Sequence, residues 1–93
     1  EIKNFIIVCD DNCIIRKSMS KLITAIIPNS KIIECFDGID TLRKIIDYKK
    51  IDLIFIDENM QFMQGSTCIK IINELIDGNK INPIKLISCT AFE

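Results

Sequence analysis

The chain has 93 residues, 48% of them hydrophobic, which makes one small domain with a buried core and no room for a second. Its formal net charge is −1 and no basic run occurs, so it lacks the electrostatic footprint of a nucleic-acid binder. There is no His, which excludes Ser-His-Asp and Cys-His nucleophile systems, and no apolar stretch approaches the roughly 18 residues needed to span a bilayer.

The first apolar run, over 4–9, contains Phe5-Ile6-Ile7-Val8-Cys9 and reads as a buried strand closed by Asp10 and Asp11. A helix comes next, with Ile15, Met19, Leu22, Ile23 and Ile26 in one stripe, Asp11 or Asn12 as N-cap and Pro28 as the stop. A second strand is expected over 31–35. After the turn Asp37-Gly38 comes a second helix with Ile39, Leu42, Ile45 and Ile46 on one face. The third strand, over 52–57, runs through Leu53-Ile54-Phe55-Ile56 and closes on Asp57. The loop Glu58-Asn59-Met60-Gln61-Phe62-Met63-Gln64-Gly65 leads to a third helix, with Ser66 as N-cap, Ile69, Ile72, Leu75 and Ile76 along it, and Gly78 at its end. A fourth strand, over 84–89, contains Leu86-Ile87-Ser88-Cys89 and is followed by Thr90-Ala91.

These strands lack polar alternation, as expected where helices cover both faces of a parallel sheet. The order β-α-β-α-β-α-β with right-handed crossovers predicts an α/β, flavodoxin-like doubly wound sheet, in which the first and third strands are neighbours at the topological switch point. Asp10, Asp11 and Asp57 then meet beyond the carboxyl ends of the strands. Three such carboxylates repel one another, and a hard divalent cation with oxygen ligands relieves that repulsion. Each acid also has a plainer reading, since an Asp pair after a strand is often a helix cap. The five cysteines, Cys9, Cys13, Cys35, Cys68 and Cys89, show no disulfide or zinc spacing, and those in strands read as small buried hydrophobes.

With the acid pair, the strand-ending Asp57, the loop Met60-Gln61-Phe62-Met63-Gln64-Gly65 and Thr90-Ala91 all in place, the chain resembles the response-regulator receiver domain of phosphorelay signalling over its whole length. The resemblance implies that Asp11, Asp57 and the backbone carbonyl of Asn59 hold Mg²⁺, with Asp10 acting mainly through water. It implies that Asp57 takes a phosphoryl group from a partner's phosphohistidine, on a histidine kinase or a histidine-phosphotransfer domain, and that Thr90 hydrogen-bonds a phosphoryl oxygen. The early first helix, with Ile14 and Ile15, would belong to the partner's docking patch, and Phe92 would shield the acyl phosphate. Gly65 is expected to take a positive φ.

The match departs from the family pattern at Gln61, where Pro is usual, and at Gln64, where Asp is usual. A complete receiver carries a fifth strand bearing a Lys, then a fifth helix. The expected sheet order is therefore 2-1-3-4, with the fifth strand and last helices absent and residues 1–93 forming a receiver domain incomplete at its C-terminus. Neither Lys85 nor Lys3 replaces the missing Lys, because each begins a strand. The chain reads as a cytoplasmic piece of a hybrid sensor histidine kinase or a stand-alone regulator, with no nucleic-acid or membrane contact of its own. The alternative function is a pseudo-receiver, an interaction module that keeps the fold without turning over phosphate. A phosphatase with an aspartyl nucleophile is disfavoured, since Asn59 stands where such enzymes place a second Asp. No Gly-rich phosphate loop points to nucleotide binding.

Overall fold

Seven elements alternate along the chain in the computed structural model, which describes residues 1–48 and 50–89. They are β1 (Asn4–Cys9), α1 (Cys13–Ile26), β2 (Ser30–Cys35), α2 (Gly38–Asp47), β3 (Leu53–Asp57), α3 (Gly65–Asp77) and β4 (Lys85–Cys89). The strands form one parallel sheet in the order β2-β1-β3-β4, the expected order of a doubly wound sheet. The register between β1 and β3 positions the acids. Cys9 pairs with Ile56, so the next residue along each strand brings Asp10 beside Asp57.

The two sheet faces are unequally covered. Ile7, Cys9, Ile33, Cys35, Ile54 and Ile56 face α2 and α3, where Ile45, Cys68 and Ile72 close a core against them. Each fully buried Ile there contributes about 1.5–3 kcal/mol of apolar burial. On the other face Ile6 and Val8 meet Ile23 of α1, with Met19, Ile27, Ile32, Leu53 and Phe55 around them. Helix α1 is the single described helix on this face, and only Ile23 of its stripe is buried. Ile15, Leu22 and Ile26 remain 45%, 60% and 67% exposed, and an apolar trough runs between α1 and Phe55.

Local chemistry sets the helix starts. Asn12 caps α1, its Oδ1 accepting from the N–H groups of Ile14 and Ile15 at 2.9 and 3.1 Å, and the helix ends just before Pro28. Asp37 caps α2 through a 2.7 Å bond from the Asp40 N–H, and the Thr41 hydroxyl donates to the Asp37 carbonyl at 3.0 Å. That seat turns Gly38, Thr41 and Ile45 inward, so Ile39 and Ile46 of the expected stripe lie 50% and 67% exposed. The third helix departs from expectation too. It begins at Gly65 with Gln64 at the cap position making no side-chain bond, and Ser66 receives rather than gives the cap. The Glu58 carboxylate accepts from the Ser66 N–H at 2.6 Å and from its hydroxyl at 3.0 Å.

Gly65 is needed for a reason other than positive φ, since no described glycine has one. A Cβ there would run into the carbonyl oxygen of Asp57 and come within 3.0 Å of the Glu58 Cα. The positive φ in this loop belongs to Phe62, at 69°. Its neighbours close an i→i+2 bond across it, Met63 N–H to the Gln61 carbonyl at 2.7 Å. Phe62 is therefore the centre of a γ-turn of the rare, strained hand. Its ring is 86% exposed.

Candidate functional site

The sheet's register and the ends of β1 and β3 bring Asp10, Asp11 and Asp57 together, with one ligand oxygen from each lying within 4.8 Å of the others. Asp10 is buried, Asp57 half-buried and Asp11 exposed, so the cluster opens to solvent on one side. One Asp10 oxygen is held by the Asn12 N–H at 2.8 Å, which fixes the carboxylate and leaves its second oxygen free to turn towards the cluster. The backbone of Asp10 is fixed as well: its N–H donates to the Cys35 carbonyl at 3.1 Å, and its own carbonyl accepts from the Arg16 guanidinium at 2.8 Å. Arg16 also pairs with Glu34 at 2.9 Å.

Among the described residues, no Lys or Arg forms an ion pair with the three acids. The electrostatic result is a raised Asp57 pKa. Burial is the largest cause, the Asp10 charge comes next and Asp11 adds to it, while the backbone N–H groups of Asn59 and Glu58 pull the other way. Lys85 does not help: it pairs with Leu53 at the far end of β4, while Asp57 aligns with Cys89 four residues on, about 13 Å along the strand. Lys3 likewise precedes β1, at the opposite end from Asp10.

The donor set fits a small, hard divalent cation. It consists of carboxylate oxygens at one open corner, with no nitrogen or sulfur ligand among them. The three buried thiols stand apart from it: Cys9 and Cys35 are pushed up to about 12 and Cys68 to about 11, burial being the main cause in each. They remain neutral. Cys9 lies instead against the Met60 sulfur at 3.3 Å, tying the end of β1 to the loop after Asp57.

Thr90, the fourth residue expected at the site, lies outside the described residues, as do Ala91 and Phe92. Ile14 and Ile15 are 78% and 45% exposed at the start of α1. Sequence reasoning did not single out the role of Glu58, whose carboxylate fixes the start of α3 beneath the site; its only signal was an acid directly after a strand-ending acid. Asp37 and Asp40, at the start of α2, are buried and internally satisfied, Asp37 as the helix cap and Asp40 in a 3.1 Å pair with Lys44.

A family model described as the response regulator receiver domain matches residues 6–93. No curated protein matches the sequence. Among solved structures, the chain is similar to one from the CheX–CheY–BeF3–Mg²⁺ complex of Borrelia burgdorferi, with TM-score 0.79 and 25% identity over 98% of this chain. It spans 64% of the length of that relative. The receiver domain of NarL from Mycobacterium tuberculosis superposes with TM-score 0.78 at 18% identity, over 100% of this chain and 70% of its own. TrrA from Thermotoga maritima, solved in complex with Mg²⁺ and beryllofluoride, superposes with TM-score 0.76 at 22% identity, over 98% and 72% of the two chains. At these last two identities the likeness is one of fold.

Proposed function

The chain belongs to the response regulator receiver family, and from that premise we propose that it is a phosphoryl acceptor in signalling, with Asp57 as the residue modified. One observation carries the reading: Asp10, Asp11 and Asp57 converge within 4.8 Å and no described basic side chain neutralises them. Asp11, Asp57 and the backbone carbonyl of Asn59 would hold Mg²⁺, with Asp10 reaching it through water. When bound, the ion supplies positive charge against the phosphoryl oxygens, which lowers the cost of transfer between anions.

The chain's own residues do the rest. The Asp57 carboxylate is the nucleophile, and the N–H groups of Asn59 and Glu58 orient it. A carboxylate oxygen attacks the phosphorus of a phosphohistidine on a histidine kinase or a phosphotransfer domain. The P–O bond forms as the P–N bond breaks, and the electron pair returns to the imidazole nitrogen, which takes a proton from solvent. Asn12 and Arg16 hold Asp10 through the reaction. Thr90 is assigned on the sequence motif alone, as the hydroxyl that hydrogen-bonds a phosphoryl oxygen.

Incubation with phosphoramidate and Mg²⁺, followed by intact mass, tests this reading. The expected result is one added phosphoryl group that requires both Mg²⁺ and Asp57 and is absent from Asp57→Asn. A second reading, a pseudo-receiver that binds partners without turnover, draws on the lack of a Lys paired to the cluster among the described residues. No mass gain in a folded protein that binds Mg²⁺ would select it.

A further inference from the structure

Three acids crowd the corner at Asp57, yet the arginine beside them pairs with none of the three. Arg16 donates through Nη1 to the backbone carbonyl of Asp10 at 2.8 Å and through Nε to the Glu34 carboxylate at 2.9 Å. Asp10 is itself one of the clustered acids, so the guanidinium already touches a residue whose carboxylate lies within 4.8 Å of the other two. Glu34 stands on β2 opposite Val8, two residues short of Asp10 on the neighbouring strand. Lys17 reaches the same carboxylate at 3.5 Å, so Glu34 gathers both basic side chains of the first two turns of α1. The Arg16 and Glu34 side chains are only 16% and 32% exposed, where solvent screens a charge pair less than on open surface.

Resting on the reading of this corner as a divalent-cation site, we infer that Glu34 is a positioning residue for it. By holding the Arg16 guanidinium on the Asp10 carbonyl, Glu34 keeps the chain's own cation off the carboxylates of Asp10, Asp11 and Asp57 and leaves them to a metal ion. A released guanidinium has strong cause to move. Its planar fork matches a carboxylate, its side chain is long and flexible, and three acids without a counter-charge attract it. From the Asp10 carbonyl to the carboxylate of the same residue is a short swing. Arg16 thus stands between two anionic neighbours, and the Glu34 charge decides which of them it serves.

The test is a double-mutant cycle on Mg²⁺ affinity, read by calorimetric titration, with Glu34→Gln, Arg16→Gln and the two combined. Glu34→Gln keeps the shape of a partly exposed side chain, and far-UV circular dichroism checks that every variant is folded. The expected result is that Glu34→Gln weakens Mg²⁺ binding about ten-fold, because the released guanidinium must be expelled before the ion enters. Arg16→Gln alone should not tighten binding, since the parent already holds the guanidinium off the site. In the Glu34→Gln background the same change should tighten it about five-fold or more. A long-range charge effect gives another pattern, in which Arg16→Gln tightens binding equally in both backgrounds, and that additive result overturns the inference. Unchanged affinity in Glu34→Gln overturns it, as does a double variant that binds no tighter than Glu34→Gln, the behaviour of a plain structural pair.

The metal-free protein supplies a second readout. In EDTA the released guanidinium offsets part of the repulsion among the acids, so Asp57→Asn should raise Tm in the Glu34→Gln background by about half as much as in the parent, or less. An undiminished gain overturns the inference. A folded parent that binds no Mg²⁺ overturns the cation site and the inference with it, whereas additivity in a parent that binds Mg²⁺ overturns the inference alone.

Discussion

Replacing Asp57 with Asn should make the metal-free domain more stable at neutral pH. The oxygens of Asp10, Asp11 and Asp57 lie within 4.8 Å of one another. At that separation two unit charges repel by about 3.5 kcal/mol at an effective dielectric of 20, and by about 0.9 kcal/mol in bulk water. Because Asp11 is exposed and Asp57 half-buried, solvent screening places each pair near the lower figure. Asp57 faces two such charges, so neutralising it should stabilise the fold by about 1–2 kcal/mol, or roughly 5–15 °C in Tm for a domain of this size. The pH dependence has a definite sign. The folded Asp57 has a raised pKa, so it binds its proton more readily than the unfolded chain does. Its favourable contribution is complete below the unfolded pKa and is lost as pH rises through the folded one. The advantage of Asp57→Asn should therefore appear above that range and vanish in acid. Mg²⁺ should narrow or reverse the order, since a ligand held by the folded state alone adds about 1.4 kcal/mol at ten times its Kd. Thermal unfolding followed by circular dichroism, in EDTA and in Mg²⁺, reads all of this. An Asn variant that is no more stable than the parent in EDTA at pH 7 would refute the argument that the three acids are clustered and unneutralised.

Other perturbations probe the supports of the site. Gly65→Ala should cost about 1–3 kcal/mol in urea unfolding and weaken Mg²⁺ binding, because the new methyl presses on the Asp57 carbonyl. Ile72→Ala, at a fully buried position between α3 and the sheet, should cost about 2–5 kcal/mol, a large share of an ordinary domain's stability, seen as a lowered urea midpoint by far-UV circular dichroism. Glu58→Ala removes both acceptors at the start of α3 and should lower stability by about 1 kcal/mol, an effect that Ser66→Ala alone reproduces only in part. Thiol labelling at pH 8 should find Cys13 first, with Cys9, Cys35 and Cys68 reacting only on unfolding, since burial holds those three as neutral thiols.

The central geometry was legible because it depends on where apolar runs stop. Ile56 and Cys9 each precede an acid, and a parallel sheet with the first and third strands adjacent places those acids side by side. The departures share a different physical origin. Glycine serves both positive φ and close backbone approach, and the sequence looks the same in either case; at Gly65 the carbonyl of Asp57 decides it. Ser66 looks like a cap because its usual role is local, but here a carboxylate eight residues upstream supplies the bond. In α2 the expected stripe ignored Thr41, a polar residue whose hydroxyl is satisfied by the Asp37 carbonyl and which therefore turns inward at the expense of Ile39 and Ile46. Nothing in the chain marked Phe62 for a left-handed turn, since Phe is among the residues least suited to one.

The near-neutral net charge conceals a lopsided field. Asp10, Asp11, Asp57 and Glu58 all stand where strands β1 and β3 end, so one rim of the sheet is acidic. Such a rim gathers cations from solution and holds off anions until it is screened. If the chain accepts phosphate as proposed, its donor is itself an anion, and the rim would favour an order of arrival: cation first, donor second. At low ionic strength without divalent ions, a small anionic donor should meet a barrier that salt lowers, and once the cation is bound the dependence on salt should flatten.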